Sequence, residues 1–301
     1  MDSLKKAFSK HVQSLQTEII EKMKEVDPGL KTKRDNWSRK DKNGEDGGGG
    51  TTCALSGDVF ENAGVNTSIV HGLMEPSFGR QILKESNSES EGREYRMWAS
   101  GISLILHPRN PRVPTVHANF RMIQVNDKFW FGGGADLTPY YPHEEDFRHF
   151  HSVWKRACGD DYPKMKDVCD KYFVNKYRNN EMRGVGGIFF DHLNSGDTEA
   201  DLNKVVGLSN NFIESYFPIA ERRISEKYTQ EDEEFQLHRR GRYVEFNLLH
   251  DRGTTFGLKT NGRTDSILIS LPARCKFSYA YKPPVGSAHE KMMEFYFPKN
   301  W

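Results

Sequence analysis

The chain has 301 residues, 36% of them hydrophobic and 28% charged, which is enough apolar material for one large domain or two small ones and excludes a wholly disordered chain. Its 43 Lys+Arg and 42 Asp+Glu leave a net charge of +1, so no global field exists to hold a polyanion such as DNA, and any bound anion must be met by local arginines. No run approaches the roughly 20 consecutive apolar residues of a membrane span, and with a mean hydropathy of -0.75 a soluble protein without a transmembrane segment is expected.

Leu4, Phe8, Val12, Leu15, Ile19, Met23 and Val26 recur at intervals of three and four, which predicts an amphipathic helix over about 3–26 rather than a secretory signal. The next segment, 31–50 (KTKRDNWSRKDKNGEDGGGG), is polar and ends in four glycines, so it reads as a flexible loop. Glu85 to Gly92, rich in Ser and Glu, reads as a second one. Cys53, Cys158, Cys169 and Cys275 show no CxxC spacing and are too sparse for a disulfide framework, which favours reduced, mostly buried thiols in a cytoplasmic protein.

From Gly101 the pattern changes to period two. Ile102, Leu104 and Leu106 face one way and Ser103, Ile105 and His107 the other; in 115–125, Val116, Ala118, Phe120 and Met122 oppose Thr115, His117, Asn119 and Arg121. Further strands are predicted at 128–131, 187–191, 242–250, 255–260, 266–271 and 275–281, and helices at 143–158, 163–179, 197–229 and about 288–295. Short turns at Gly253, Asn261-Gly262-Arg263 and Pro272 favour hairpins between the last strands. The expected fold is α+β: an antiparallel sheet of about six or seven strands with helices packed on it.

Three features could carry chemistry. Ser103, His107, His117, Asn119 and Arg121 put a row of polar groups on one sheet face, costly to bury without a ligand, although a solvated face would also show it. FGGGADLTPYYP places three glycines before Asp136, so the main chain can turn tightly and present a carboxylate at the end of a strand. It is not a phosphate loop, since no GxxxxGK[ST] exists in the chain. Arg239, Arg240, Arg242, Arg252 and Arg263 concentrate planar guanidinium forks suited to carboxylates, with pairing to Asp251, Asp265 and Glu245 as the plainer alternative. No HExxH occurs, and surface or hydrogen-bonded roles suit His143 and His149.

Read together, ISLILHPRNPRVPTVHANFR, WFGGGADLTPYY, RGVGGIFFDHLN and GRYVEFNLLHDRGTTFGLKTNGRTDSILISLP resemble the oxygen-dependent coproporphyrinogen III oxidases, in order from the GGGG segment through VFENAGVNTSIVHG to near the C-terminus. The resemblance implies one catalytic domain over 1–301, a large flat antiparallel sheet of about seven strands flanked by helices on both sides, and a homodimer. It implies oxidative decarboxylation of two propionates of coproporphyrinogen III to vinyl groups, giving protoporphyrinogen IX in haem synthesis, with molecular oxygen as co-substrate, no organic cofactor and no nucleic-acid partner. It implies catalytic roles for His117 and Asp136, the former as general acid/base and the latter as acceptor for the pyrrole N–H groups. Substrate contacts are implied at Ser103, Asn119, Phe120, Arg121, Asp251, Arg252, Asn261, Gly262 and Arg263. Two departures stand out: Tyr177 replaces a histidine of the family's proposed four-histidine metal site, and His192 follows Asp191 where a second Asp is common. No metal is therefore expected at His107, His117 and His151. A tetrapyrrole carrier without turnover, and a metal-dependent oxygenase, are the competing readings.

Overall fold

The computed structural model describes residues 1–85, 92–259 and 262–301. The N-terminal periodicity becomes α1 (Asp2–Val26), whose Phe8, Val12, Leu15, Ile19 and Met23 are buried. The six strands β1 (Lys31–Lys40), β2 (Asp46–Ser56), β3 (Phe60–Met74), β4 (Tyr95–Pro108), β5 (Thr115–Val125) and β6 (Lys128–Thr138) follow one another, with α2 (Pro76–Leu83) interposed before β4. After α3 (Glu144–Cys158), α4 (Tyr162–Tyr172) and a small hairpin of β7 (Val174–Asn175) and β8 (Glu181–Met182), β9 (Gly187–Leu193) pairs with β6. Among the described residues the result is a seven-stranded antiparallel sheet of order β1-β2-β3-β4-β5-β6-β9.

The sheet has two unlike faces. Ile102, Leu104, Leu106, Val116, Ala118, Phe120 and Met122 join the main core with α1, α3, α5 (Thr198–Asn210) and α6 (Phe212–Arg223). Gln16 on α1 ties that helix to β3 through the Val65 carbonyl at 2.7 Å. The opposite face is covered by α7 (Gln230–Leu249), α8 (Arg252–Lys259) and α9 (Thr264–Leu268): Tyr243 meets His107 edge-on, Phe256 packs in the cluster of Trp130, and Ser266 binds Thr52 and Asn66. Helices thus lie on both sides of the sheet, with α10 (Ala288–Met293) adding Met292 to the core.

Several elements differ from the sequence reading. The loop expected over 31–50 is β1 and β2. Strand β1 is an exposed edge whose stability comes from backbone pairing and contacts such as Trp37 Nε1–H to Thr52 Oγ1 at 3.1 Å, so its polar side chains hide it. The glycines there allow close approach rather than a hinge: a Cβ on Gly48, which has φ +78°, would lie 2.2 Å from the Ile69 carbonyl oxygen. Where strands are expected at 242–250, 255–260 and 266–271, residues 242–249, 255–259 and 266–268 are helical and 269–271 form a turn, Thr260 lies outside the described residues, and 275–281 is irregular. Helix α7 begins at a capping box between Thr229 and Asp232, and its buried stripe of Phe235, Arg239, Tyr243 and Phe246 has helical spacing that arginine in the apolar register concealed. The helix expected over 163–179 stops at Tyr172, and 197–229 is two helices parted at Asn211. The Ser/Glu-rich loop lies mostly outside the described residues.

All four cysteines are free, with Cys53, Cys158 and Cys169 buried as expected and Cys275 exposed. Among the described residues no helix is long and apolar enough to cross a membrane.

Candidate functional site

The alternation of β5 does what the sequence suggested: Thr115, His117, Asn119 and Arg121 share the face covered by α7 to α9. Register aligns His117 with Ile105 on β4 and Asp136 on β6, Asn119 with Ser103 and Gly134, and Arg121 with Gly101 and Gly132. The same transverse line continues from Ser103 through Asn66 and Thr52 to Asp35 on β1. Ser266 closes the line over Thr52 and Asn66, whereas Ser103 is exposed. The floor is therefore open at Ser103 with Gly101 beside it on β4, while Gly132 and Gly134 on β6 are buried against Arg121 and Phe189.

One end of this floor is an ion-paired cluster. Asp136, 1% exposed, accepts from His117 Nδ1 at 3.0 Å and from Arg183 Nη2 at 2.6 Å on Oδ1, and from Arg183 Nε at 2.8 Å on Oδ2. Burial alone would raise the carboxyl's pKa. The Arg183 charge and the hydrogen bonds from His117 and Arg183 overcome it and bring the value down to about 2. Arg183 is itself buried, its guanidinium 4.1 Å from the Phe173 ring centre, 4.6 Å from Tyr243 and 4.8 Å from Phe246; burial favours its neutral form, and Asp136 holds it charged. The sequence reading gave this arginine no role, although it opens the RGVGG motif.

Beside it, Arg121 donates to Asn119 Oδ1 at 2.7 Å and pairs with Asp191 on β9 at 3.2 Å, its guanidinium partly open to solvent. Gly132 makes room for that pair: a Cβ there would stand 2.8 Å from Asp191 Oδ1 and 3.0 Å from Arg121 Nη2. His192, in the left-handed region at φ 56°, stacks on Trp130 and puts Nδ1 3.5 Å from Asp191. Tyr172 stacks on Phe189 at 4.4 Å, its hydroxyl donates to Asp251 at 2.8 Å, and the Arg252 guanidinium lies 4.8 Å over its ring. Asp251 also accepts from Thr254 N and Oγ1, capping α8, contacts that with the Tyr172 hydrogen bond hold its pKa below the usual range against the opposing effect of burial.

The far rim carries Arg263, ion-paired with Asp35. Gly262 closes the α8–α9 turn by donating to the Gly257 carbonyl at 2.8 Å, and Asn261 lies outside the described residues. Ser103, His117, Asn119, Arg121 and Asp136 are thus brought together, with Asp251, Arg252, Gly262 and Arg263 on the elements that frame them. The Phe120 side chain points to the other face, 1% exposed and against Trp154, because alternation that exposes Asn119 and Arg121 must bury the residue between them, which leaves only its main chain toward the floor. The expectation that Asp136 ends a strand also changes, since it sits inside β6 with both oxygens occupied.

The remaining candidates have partners within the protein. Arg239 pairs with Glu181, Arg240 with Glu61 and Arg242 with Glu245. His107 binds Thr115 Oγ1 and the Ser270 carbonyl, and His151 binds the Tyr162 hydroxyl and the Val185 carbonyl; burial pushes both imidazoles down to about 3. Tyr177 is exposed against His250. Among the described residues no three His, Cys, Asp or Glu side chains gather as a metal-binding group. A separate cavity of about 690 Å³ opens near the N-terminus of α1, lined by Lys5, Asp41, His71, Arg96, Trp98 and Gln124, on the opposite face from His117.

One face of the sheet thus carries an arginine-clamped Asp–His pair beside the Arg121 guanidinium, an arrangement that can handle a proton next to a carboxylate. The profile of the family described as coproporphyrinogen III oxidase matches residues 7–301, and the chain belongs to that family. It is 42% identical to coproporphyrinogen-III oxidase 1, chloroplastic, of Arabidopsis thaliana, over 99% of this chain and 80% of the relative. It is 45% identical to the oxygen-dependent coproporphyrinogen-III oxidase of Drosophila melanogaster (91% of this chain, 72% of the relative). Against the enzyme of that name from Prochlorococcus marinus (strain MIT 9515) it is 42% identical (95% and 90%).

Proposed function

We propose that the floor over β4 to β6 binds coproporphyrinogen III and that the protein is an oxidoreductase converting two of its propionates to vinyl groups with molecular oxygen, giving protoporphyrinogen IX in haem biosynthesis. Each turn takes R–CH2–CH2–COOH and O2 to R–CH=CH2, CO2 and H2O2, so the two hydrogens and the electron pair lost by the side chain reduce the oxygen. The observation that carries the reading is the register of His117, Asn119 and Arg121 opposite Asp136, Gly134 and Gly132: it puts an imidazole suited to moving a proton and a guanidinium suited to a carboxylate on one face of the sheet.

In this reading Arg121, Arg252 and Arg263 hold propionates, Ser103 and Asn119 add hydrogen bonds, Asp251 and Gly262 shape the rim, and Asn261 is a further substrate contact. Each charge-assisted contact contributes about 1.5–3 kcal/mol. The chain works as one domain, as a cytoplasmic homodimer, without an organic cofactor or a resident metal. The names of the Drosophila and Prochlorococcus relatives, which include oxygen dependence, support the choice of oxidant.

The test is incubation of the purified protein with the reduced porphyrinogen, with and without oxygen. Two vinyl groups should appear, and H2O2 with them, only in the aerobic sample. Tight binding without product would make the protein a carrier, and full loss of activity on chelation, restored by a metal, would make it a metal-dependent oxygenase.

A further inference from the structure

The Asp136 carboxylate cannot serve a pyrrole N–H group as freely as the sequence suggested. Both Arg183 nitrogens that reach it lie on the axis of a two-point clamp, with Nε to Oδ2 at 2.8 Å and Nη2 to Oδ1 at 2.6 Å, and the remaining approach to Oδ1 is taken by His117 Nδ1 at 3.0 Å. Phe173, Tyr243 and Phe246 surround the guanidinium and hold its plane, and Phe173 also meets the His117 ring edge-on at 5.8 Å. An ionised carboxylate only accepts, so its imidazole partner must donate from Nδ1 and, when neutral, carry its lone pair on Nε2. The His117 side chain is 21% exposed, so the ring reaches solvent while the carboxylate does not.

We propose that Arg183 is a positioning residue for the reaction: by occupying both oxygens of Asp136 it fixes that carboxylate as an acceptor for His117 Nδ1–H and leaves His117 Nε2 as the atom that exchanges a proton with the substrate. This rests on the proposed function and deepens it, because it divides the roles of His117 and Asp136. Asp136 orients and stays charged; His117 moves the proton. The other ionisable groups around the clamp are Cys169, Tyr243, Asp251 and His107, of which only Asp251 is a second carboxylate. Loss of the clamp would let Asp136 take a proton and donate it to Nδ1, reversing the tautomer; in a carboxylate–histidine pair that error costs up to about 10⁴-fold in rate.

The experiment is nitrogen-15 NMR of the full chain labelled at histidine, without substrate, the His117 signals being assigned by their loss in His117→Gln. The expected result is an Nδ1–H, bare Nε2 tautomer in the parent protein. Arg183→Lys, which keeps the charge but not the fork, should give a mixed tautomer, with kcat down tenfold or more and KM within twofold. An Nε2–H tautomer in the parent protein overturns the proposal, as does a lysine variant with parental tautomer and kcat. If the lysine variant does not fold, Arg183→Gln is read in its place, with the same result expected and the same result overturning the proposal. Absence of turnover on the porphyrinogen overturns the proposed function instead, and the tautomer, read without substrate, is unaffected by it.

Discussion

Arg263, at the start of α9, is ion-paired with Asp35 on β1, and Asp35 stands in the same transverse line of the sheet as Ser103 and Asn119. Four strand spacings separate Asp35 from Asn119, about 19 Å. One arginine thus guards the far rim of the floor while Arg121 sits at the near one. Both partners of the Arg263 pair are about a third exposed, so the ion pair itself contributes little to stability, under about 1 kcal/mol. Arg263→Ala should therefore leave the melting temperature within a few degrees and raise KM for the porphyrinogen about tenfold. An unchanged KM would remove Arg263 from propionate binding.

Gly132 offers a substitution that separates site from scaffold. The atoms a new Cβ would strike are Asp191 Oδ1 and Arg121 Nη2, both far ends of flexible side chains, so the backbone has no reason to move. Gly132→Ala should keep the fold, measured by thermal unfolding, and push Arg121 out of its contact with Asn119, raising KM more than it lowers kcat. A variant with unaltered kinetics would mean that the Arg121 position is not used.

Phe120 tests how the two faces of the sheet divide their work. It is a core residue on the helical face, and Phe120→Ala should cost about 3–5 kcal/mol of stability. Activity per folded molecule should change little, since no side-chain atom of Phe120 reaches the floor. Loss of activity in fully folded protein would place the side chain in the site after all.

His107 and His151 make stability depend on pH. Both are neutral when folded, held down to about 3 from 6.5 by burial, so below about pH 6.5 the unfolded chain binds protons that the folded chain does not. Their contribution is complete above pH 6.5 and is lost as pH falls toward 3, together by roughly 3 kcal/mol per pH unit. Asp136 acts in the same direction at lower pH, its stabilisation being present above 3.8 and lost as pH falls toward about 2. Urea midpoints measured at pH 7.5, 6.5 and 5.5 should fall slightly between the first two and steeply at the third. A flat response down to pH 5.5 would show that these imidazoles can charge where they sit.

The parts of this molecule that were readable in advance are those where side-chain burial follows backbone period. Helix α1 repeats its buried residues at three and four and strand β5 alternates, so the row of His117, Asn119 and Arg121 follows from β5 alone and Ser103 from its place on β4. Strand β1 is not readable because an edge strand is held by backbone pairing and Lys31 to Lys40 show no apolar face, and the start of β2 is hidden by its run of glycines. Helix α7 was missed for the opposite reason: its inward stripe includes Arg239 beside Phe235, Tyr243 and Phe246, and a buried arginine looks polar in a sequence. Arg183 escaped notice because nothing local says which carboxylate a guanidinium will meet; only the return of the chain to β6 through β9 brings it under Asp136.

The central claim is that a tetrapyrrole lies on the His117 face of the sheet, over β4 to β6. A crystal structure of the protein with coproporphyrin III bound tests it most directly. The macrocycle should lie against Ser103 and Asn119, beside the His117–Asp136 pair, with carboxylates on Arg121 and Arg263. A macrocycle seated on the opposite face, in the cavity lined by Lys5, His71 and Trp98, would contradict the account.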